Sequence, residues 1–423
     1  MEQSNFHLPL IITPNSLKFE WARQIEDWTG EKSAISKQNV YIRLSEIVNS
    51  LTHKNGSKYK IINYETLRTK DHTDILGLIP FDVIVFDEIH KLRNPKTKLV
   101  RAVWEFLDRY PEVKIIGLSG SPIMNYPNDL YGPLAACFPN TYSRDAKGWR
   151  NFQYKYCLWT SGRGGYYVYG TRNVRQLKEE TEGLMIRRTK KEVLPFLPEK
   201  YYQRPELEMK ADQRKIYDQM ENELKVMLDT GEPLWSPNVL SLLTRLRQIN
   251  LDPKIVGISS SSAKTEFLYD LLESTDEKIV IFSCFERYIY LLSEIFKAWG
   301  KKCVSITGTV AVDKRAEAVK RFQEGDAQVC LGTIQTAGEG ITLTASSIVV
   351  LTDRWWNEPT NQQAVDRLHR IGQKSAVQVF LPLVVKSIDQ TLDDILQRKN
   401  QATQEYFSEQ GVRDRVFDSL RSL

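Results

Sequence analysis

Short apolar runs separated by amphipathic stretches organise the first part of the chain. Leu8–Thr13 is an apolar run that ends in Thr-Pro-Asn-Ser, which predicts a buried strand meeting a turn. Ser16 is placed to cap the helix that follows, in which Leu17, Trp21, Ile25 and Trp28 keep helical spacing. Lys60–Tyr64 and Phe81–Phe86 read as a second and a third strand. The third runs straight into Asp87-Glu88-Ile89-His90, and a fourth, Val113–Leu118, opens into Ser119-Gly120-Ser121-Pro122. Strands alternating with helix-like stretches predict an open, largely parallel sheet, whose ligands lie beyond the carboxyl ends of its strands. Both polar clusters fall at that edge.

From about Tyr126 to Pro253 the pattern is helical, with a Gly-Tyr-rich interruption at Ser161–Gly170 and breaks at Pro195, Pro198, Pro233 and Pro237. Ser259–Ser262 is a four-serine stretch and reads as the best linker in the chain. Beyond it Lys278–Ser283, Val304–Thr307, Gln328–Thr333, Ser347–Asp353 and Val377–Val384 predict a second sheet of the same kind. The halves read as two α/β lobes joined through a helical middle.

Two stretches carry candidate chemistry. In Gln363–Gln373, QAVDRLHRIGQ, Thr360 and Gln363 form a capping box and Gly372 a helix stop. The helix so predicted has one buried stripe, Ala364, Leu368 and Ile371, and another face carrying Gln363, Arg367 and Arg370. Two guanidiniums with an amide beside them make a fork for phosphate oxygens. The plainer reading is a solvated helix in which Asp366 pairs with Arg370 at i+4. In the other stretch an apolar strand ends in two consecutive carboxylates, as magnesium-nucleotide hydrolysis requires. Asp87 would help hold the hydrated metal and Glu88 would orient or deprotonate the attacking water. The plainer reading there is that Asp-Glu caps the next helix.

Composition narrows this little. The chain has 423 residues, room for two or three domains, and its apolar and charged fractions of 41% and 26% are those of an ordinary soluble globular protein. A net charge of +5 permits nucleic acid as a partner without arguing for it. The five cysteines form no CxxC pair and suggest neither a zinc site nor a disulfide framework, and Cys284 and Cys330 in strand-like runs read as reduced, buried thiols. No basic segment leads into an apolar core at the N-terminus, and no apolar run approaches bilayer length. A cytoplasmic protein with no secretion signal and no membrane partner is expected, in a bacterial or virus-infected cell given the short form.

Read together, FDVIVFDEIH, LSGSPIMN, KIVIFSCF, LGTIQTAGEGITLTAS and QAVDRLHRIGQ resemble, in order, motifs II to VI of helicase superfamily 2. More narrowly they resemble the Swi/Snf class of DNA-translocating ATPases. IITPNSLKFEWARQIEDW is similar to that class's motif Ia, and INYETLR to its next DNA-contacting motif. MIRRTKKEVLPFLPEK and LLTRLRQINLDP are similar to segments of its helical insertion. DRWWNEPTNQQAVDRLHRIGQKSAVQVF completes a match running from about Leu8 to Leu396. The Tyr-Gly-rich stretch before MIRRTK is similar to the annealing or fork-remodelling subgroup.

The resemblance implies an α/β fold of two RecA-like parallel-sheet lobes with a helical insertion between them. Residues 1–135 would be lobe one, 136–258 the insertion and linker, 259–400 lobe two and 401–423 a helical tail. ATP and Mg2+ are the implied cofactors and double-stranded DNA the implied partner. Asp87 and Glu88, in a DEAH-like box, would serve magnesium and water, and His90 would link the nucleotide site to the rest of its lobe. Ser119, Gly120 and Ser121 would couple hydrolysis to movement, unless they are only a tight turn. Arg367 and Arg370 become arginine fingers reaching across the cleft, with Gln363 assisting. Thr333, Gly338, Glu339 and Gly340 form motif V, where amides and a hydroxyl touch a DNA phosphate; the two glycines equally suit a strand-to-helix turn. Thr13, Pro14, Tyr64, Glu65, Thr307 and Gly308 match positions that track a DNA strand. Trp355 and Trp356 are candidates for stacking on nucleic acid, with core packing the favoured reading.

One expected element is not in the sequence. The phosphate loop, GxxxxGK[ST], should precede motif Ia, yet motif Ia begins about ten residues from Met1, and the one Gly-Lys pair is Gly300-Lys301, outside any Gly-rich loop. The first lobe is therefore expected to be missing its N-terminal phosphate-loop strand, a central strand whose loss exposes ladder groups. Three explanations stand: a separate polypeptide carrying the Walker A segment, a truncated gene product, or a relative that binds DNA without hydrolysing ATP. The expected function is an ATP-dependent DNA translocase or remodeller that requires the phosphate-loop segment for turnover. The alternatives are a catalytically inactive DNA-binding relative and an RNA helicase.

Overall fold

The computed structural model describes residues 6–36, 57–124, 126–162, 165–229, 237–337, 340–394 and 396–397. These fall into two compact units, one drawn from residues 1–160 and 167–180 and the other from 161–166 and 181–401. The tail expected at 401–423, and Gly338 and Glu339, lie outside the described residues.

Unit one is built on a wholly parallel five-stranded sheet. Its strands are β1 (Pro9–Thr13), β2 (Ala34–Ile35), β3 (Lys60–Asn63), β4 (Val83–Asp87) and β5 (Lys114–Leu118), in the order β2-β3-β1-β4-β5. The unbroken apolar runs explain the arrangement, since a parallel strand is covered on both faces and cannot alternate polar with apolar. Every residue of β1 is buried, and Ile11, Ile61, Val83 and Val85 pack on Ile25 of the helix Lys18–Thr29. That helix departs from expectation at its start. Ser16 does not cap it; a 3₁₀ turn, Asn15–Leu17, leads in and no side chain caps the helix. Trp28 also stands in solvent rather than in the core, its indole donating to Gln24 at 3.2 Å.

The strand β5 breaks the rule its neighbours obey. It lies at the edge of the sheet beyond β4, and Ile116 and Leu118 are 38% and 39% exposed. Among the described residues nothing pairs with its outer edge.

Unit two contains a second parallel sheet, of six strands. These are β8 (Lys200–Gln203), β10 (Ile279–Ser283), β11 (Cys303–Ile306), β12 (Val329–Thr333), β13 (Ile348–Leu351) and β14 (Val377–Phe380), in the order β11-β12-β10-β13-β14-β8. Phe282, Val304, Leu351 and Val379 face one core, and Ile279, Ile281, Leu331 and Val350 the other. The edge strand β8 lies in the stretch whose pattern predicts helices. A short pair, β9 (Glu206–Leu207) with β15 (Leu383–Val384), continues the same association. The Gly-Tyr-rich interruption is likewise a two-stranded sheet, β6 (Cys157–Gly162) with β7 (Gly165–Thr171).

Three of the four serines, Ser260–Ser262, are tied down rather than free. Ser260 Oγ, Ser261 N and Ser261 Oγ donate to Asp212 at 2.9, 2.8 and 2.6 Å, and Ser262 caps the helix Ala263–Ser274. All five thiols are free; Cys330 is buried as expected, whereas Cys284 is only half-buried, and among the described residues no helix is long and apolar enough to cross a membrane.

The Ser261 hydroxyl and amide, with Ser260, hold the Asp212 carboxyl well below the usual carboxylate range. A lowered native pKa means the anion stabilises the fold, fully above the unfolded value of about 3.9 and decreasingly as pH falls below it. Asp212→Asn is expected to lower Tm at neutral pH, with the gap from the parent closing as acid protonates Asp212. Calorimetry from pH 7 down to the lowest pH at which the parent still folds checks this, with the gap constant above about pH 4 and narrowing below it.

Candidate functional site

β4 delivers its last residue, Asp87, to the carboxyl edge of the first sheet, where three other elements close on it. Thr13 Oγ1, at the end of β1, donates to Asp87 Oδ2 at 2.9 Å, and Trp21 Nε1 donates to the same oxygen at 2.8 Å. The Tyr64 hydroxyl donates to the Asp87 carbonyl at 2.7 Å. Burial pushes the Asp87 carboxyl above its ordinary value, against the pull of the Trp21 and Thr13 hydrogen bonds. Burial, with Asp87 and Glu88 nearby, raises the Tyr64 hydroxyl well above its own.

Glu88 adopts a left-handed backbone, φ 53° and ψ 49°, which a non-glycine residue accepts only when its surroundings hold it there. It precedes the 3₁₀ turn Ile89–Leu92 but makes no side-chain capping bond, so the plain capping reading fails. Its Oε2 lies 3.1 Å from His90 Nδ1 instead. The same nitrogen is 3.0 Å from Ser119 Oγ, which accepts from the Ser121 amide at 3.2 Å. His90 therefore ties the carboxylate pair to the loop after β5. A Cβ on Gly120 would meet nothing within 4 Å, so that loop is open at its middle.

Of the other candidates in unit one, Thr13 and Tyr64 are buried with their hydroxyls committed to Asp87. Pro14 is half-buried and Glu65 exposed, the latter accepting from Asn63 at 2.8 Å.

In unit two the arginine stretch is not the helix its periodicity predicts. The helix runs Glu358–Val365, and its cap is Asn357, which accepts from the Thr360 amide at 3.0 Å. Thr360 with Gln363 is not a capping box, and Gly372, at φ 101°, ends a turn and not a helix. After Val365 the chain winds through irregular turns, so the i, i+4, i+7 stripe does not persist. Ala364 and Leu368 are buried, but Ile371 is 68% exposed and Arg367 only 4% exposed. The backbone of this loop is pinned where the Leu343 amide donates to the Arg367 carbonyl at 2.9 Å. Arg370 Nη1 lies 3.4 Å from both the Gly340 carbonyl and Thr342 Oγ1. Gly340 itself has φ 78°, a conformation that favours glycine.

Asp366 does not pair with Arg370. It bridges Lys190 and Lys200 at 2.9 and 3.2 Å, so the solvated-helix reading also fails. Gln363 is half-buried on the last turn of the helix. Thr333 is buried and bonds Thr336 at 2.6 Å. Thr307 is buried against Thr309 at 3.0 Å, and Gly308 beside it is open. Trp355 packs on the core of the six-stranded sheet, and Trp356 lies under Arg247, 4.7 Å from ring centroid to guanidinium carbon.

Residues 3–255 match the SNF2-related domain, and residues 263–372 match the helicase conserved C-terminal domain. The chain belongs to the SNF2-related family. The resemblance carried by the helicase motifs is thereby borne out. Human "DNA annealing helicase and endonuclease ZRANB3" is 27% identical over 401 residues, covering 93% of this chain and 36% of that protein. The "SWI/SNF-related matrix-associated actin-dependent regulator of chromatin subfamily A-like protein 1" of Xenopus tropicalis is 28% identical over 399 residues, covering 92% and 39%. An "Uncharacterized ATP-dependent helicase" of Mycoplasma pneumoniae is 26% identical over 429 residues, covering 99% and 39%. This SNF2-related chain thus spans under two-fifths of the length of these relatives.

The residues fit the family's cofactor chemistry. Asp87 and Glu88 offer hard carboxylate oxygens, which suit a magnesium ion that keeps several waters and takes its remaining ligands from phosphates. Among the described residues no group of three or more His, Cys, Asp or Glu side chains could hold a metal alone. Sequence reasoning missed Trp21, Lys190 and Lys200. All three lie inside quoted family stretches, where helical spacing groups Trp21 with Leu17 and Ile25 and nothing local marks the lysines.

Trp21→Phe keeps the ring and removes the donor, and Thr13→Val does the same for the hydroxyl. Each is expected to cost about 1.5–3 kcal/mol, the scale of a hydrogen bond to a charged group. Urea unfolding followed in unit one checks this, and Asp87→Asn should shrink both effects.

Proposed function

We propose that this chain is the motor portion of an ATP-driven double-stranded-DNA translocase of the Swi/Snf class. The observation that carries the reading is the link from Asp87-Glu88 through His90 to Ser119. It joins carboxylates suited to magnesium and water to the loop after the next strand, as a device that converts hydrolysis into movement requires. Bound magnesium would supply charge neutralisation of the nucleotide phosphates. Asp87 would hold that ion through its hydration shell, Glu88 would orient the attacking water, and Arg367 and Arg370 would supply positive charge to the phosphates. Pro14, Glu65, Gly308 and Gly340 follow a DNA backbone, with Gly338 the further motif V candidate and Thr333, buried against Thr336, behind them. Thr13 and Tyr64 act behind them through Asp87.

Turnover on this reading requires a phosphate-binding loop, and the 423 residues contain no GxxxxGK[ST]. The outer edge of β5 is where we propose that the loop's strand joins the sheet, whether from a separate polypeptide or from a longer form of this chain, bringing the loop to the carboxyl edge. The alternative reading is a DNA-binding relative without turnover.

The test is DNA-stimulated ATPase of the purified chain, with and without a polypeptide carrying a strand and GxGKT loop. Stimulation by duplex DNA is expected only in the complemented sample. Glu88→Gln should then reduce kcat by at least about 100-fold, the usual contribution of a positioned base. Complemented protein that shows no stimulated hydrolysis would sink the motor reading in favour of the binding one, and stimulation by RNA over duplex DNA would point to an RNA helicase.

A further inference from the structure

The loop carrying Arg367 and Arg370 is irregular, so no helical ladder fixes it, and the direction of its arginines depends on what touches it. One side is held by its own unit's strand connections: Leu343 N on Arg367 O at 2.9 Å, and the Gln373 amide group on Ser346 and Leu368 carbonyls at 2.8 and 3.2 Å. The other side is held by a segment more than 150 residues earlier. Lys190 Nζ lies 2.9 Å from Asp366 Oδ2 and donates to the His369 carbonyl at 3.0 Å. Lys200 Nζ lies 3.2 Å from Asp366 Oδ1, so each carboxylate oxygen has its own lysine. His369 Nε2 meets the Pro198 carbonyl at 2.6 Å, which makes it the protonated ring nitrogen, and the Tyr202 hydroxyl donates to Gln362 Oε1 at 2.7 Å.

These contacts arise from two rigid pieces. Thr189 and Glu192 form a reciprocal capping box that sets the turn bearing Lys190. Lys200 is the first residue of β8, paired with Val377 across the parallel register. A single ion pair would leave the loop free to pivot about Asp366. Contacts at Asp366, at the His369 carbonyl and at the His369 ring remove that freedom, because three separated points fix a rigid body.

We propose that Lys190 and Lys200 are positioning residues for the arginine loop, and that the segment Thr189–Gln203 is a brace setting the aim of Arg370. The brace rests on the motor reading only for its purpose, since the contacts exist whether or not the chain hydrolyses ATP. A purely structural role would spread any loss over the whole sheet. A positioning role confines it to residues 366–373.

Amide hydrogen exchange of the full chain separates the two. Lys190→Met keeps the methylene stem and drops the charge, and Lys190→Arg restores a cation; Tyr202→Phe is a milder variant should the methionine change prevent folding. Exchange at 366–373 is expected to accelerate about tenfold or more in Lys190→Met, with β10 and β12 unchanged and the arginine variant near the parent. In the complemented ATPase, kcat is expected to fall by about tenfold or more with KM nearly unchanged, as a misplaced charge-neutralising group produces. Unchanged exchange at 366–373 overturns the brace, as does acceleration spread evenly over the six-stranded sheet. A loosened loop with kcat unchanged overturns its role in aiming Arg370. A parent that hydrolyses nothing when complemented overturns the motor reading instead, and the exchange result stands apart from it.

Discussion

A carboxylate taken out of water at the end of a parallel strand sets the terms for unit one. Charge at Asp87 is costly where it lies, and two neutral donors on a single oxygen, Thr13 and Trp21, offset that cost. Meeting the requirement fixes a good deal of surrounding structure. β1 must end level with β4, the helix Lys18–Thr29 must be rotated to bring Trp21 inward, and β3 must place Tyr64 behind the Asp87 carbonyl. Pro14 and Glu65, which reach the surface, are the chain neighbours of Thr13 and Tyr64. Each surface residue is thus one residue along the chain from a group touching Asp87, which gives the surface a short mechanical route to the carboxylate.

Unit two solves its positioning problem differently. Its arginines sit on turns, where the backbone has no repeating hydrogen-bond pattern to make them rigid. Stiffness comes from side chains brought in from elsewhere in the sequence: two lysines on one aspartate, a proline carbonyl on a histidine, a tyrosine on a glutamine. A buried ionic group behind the same sheet follows a related logic. Arg247 reaches Asp353 at 3.1 Å and the Arg354 carbonyl at 2.7 Å, and Asp353 also accepts from Ser283 at 2.6 Å. Residues quoted as parts of the helical insertion thus act as structural members of the second sheet.

What the sequence made legible was whatever depends on short-range pattern. VIVF in the first half and IVIF in the second are apolar without interruption, and a strand covered on both faces uses such a run, so the parallel sheets and the carboxyl-edge location of Asp87 followed. The arginine stretch shows where the method stops. Alanine, leucine and isoleucine at i, i+4 and i+7 look like a helix, yet the chain leaves the helix at Val365 because Arg367 is buried and Asp366 is drawn to lysines more than 160 residues earlier. Long-range partners carry no local signature. For the same reason β8 was hidden: Lys200–Gln203 is half polar and mostly exposed, and it becomes a strand only because β14 presents an edge to it.

That last pairing bears on how the chain comes to be folded. β8 precedes β14 by some 175 residues, and at roughly 5–20 residues per second of synthesis it waits about 10–35 s for its partner to exist. An apolar strand left bare that long invites the wrong pairing. β8 is four residues long, begins with a lysine, and shows its tyrosines and glutamine to water. Its polarity, a drawback for recognising it, is what allows it to remain single on the ribosome until the second sheet is ready to receive it.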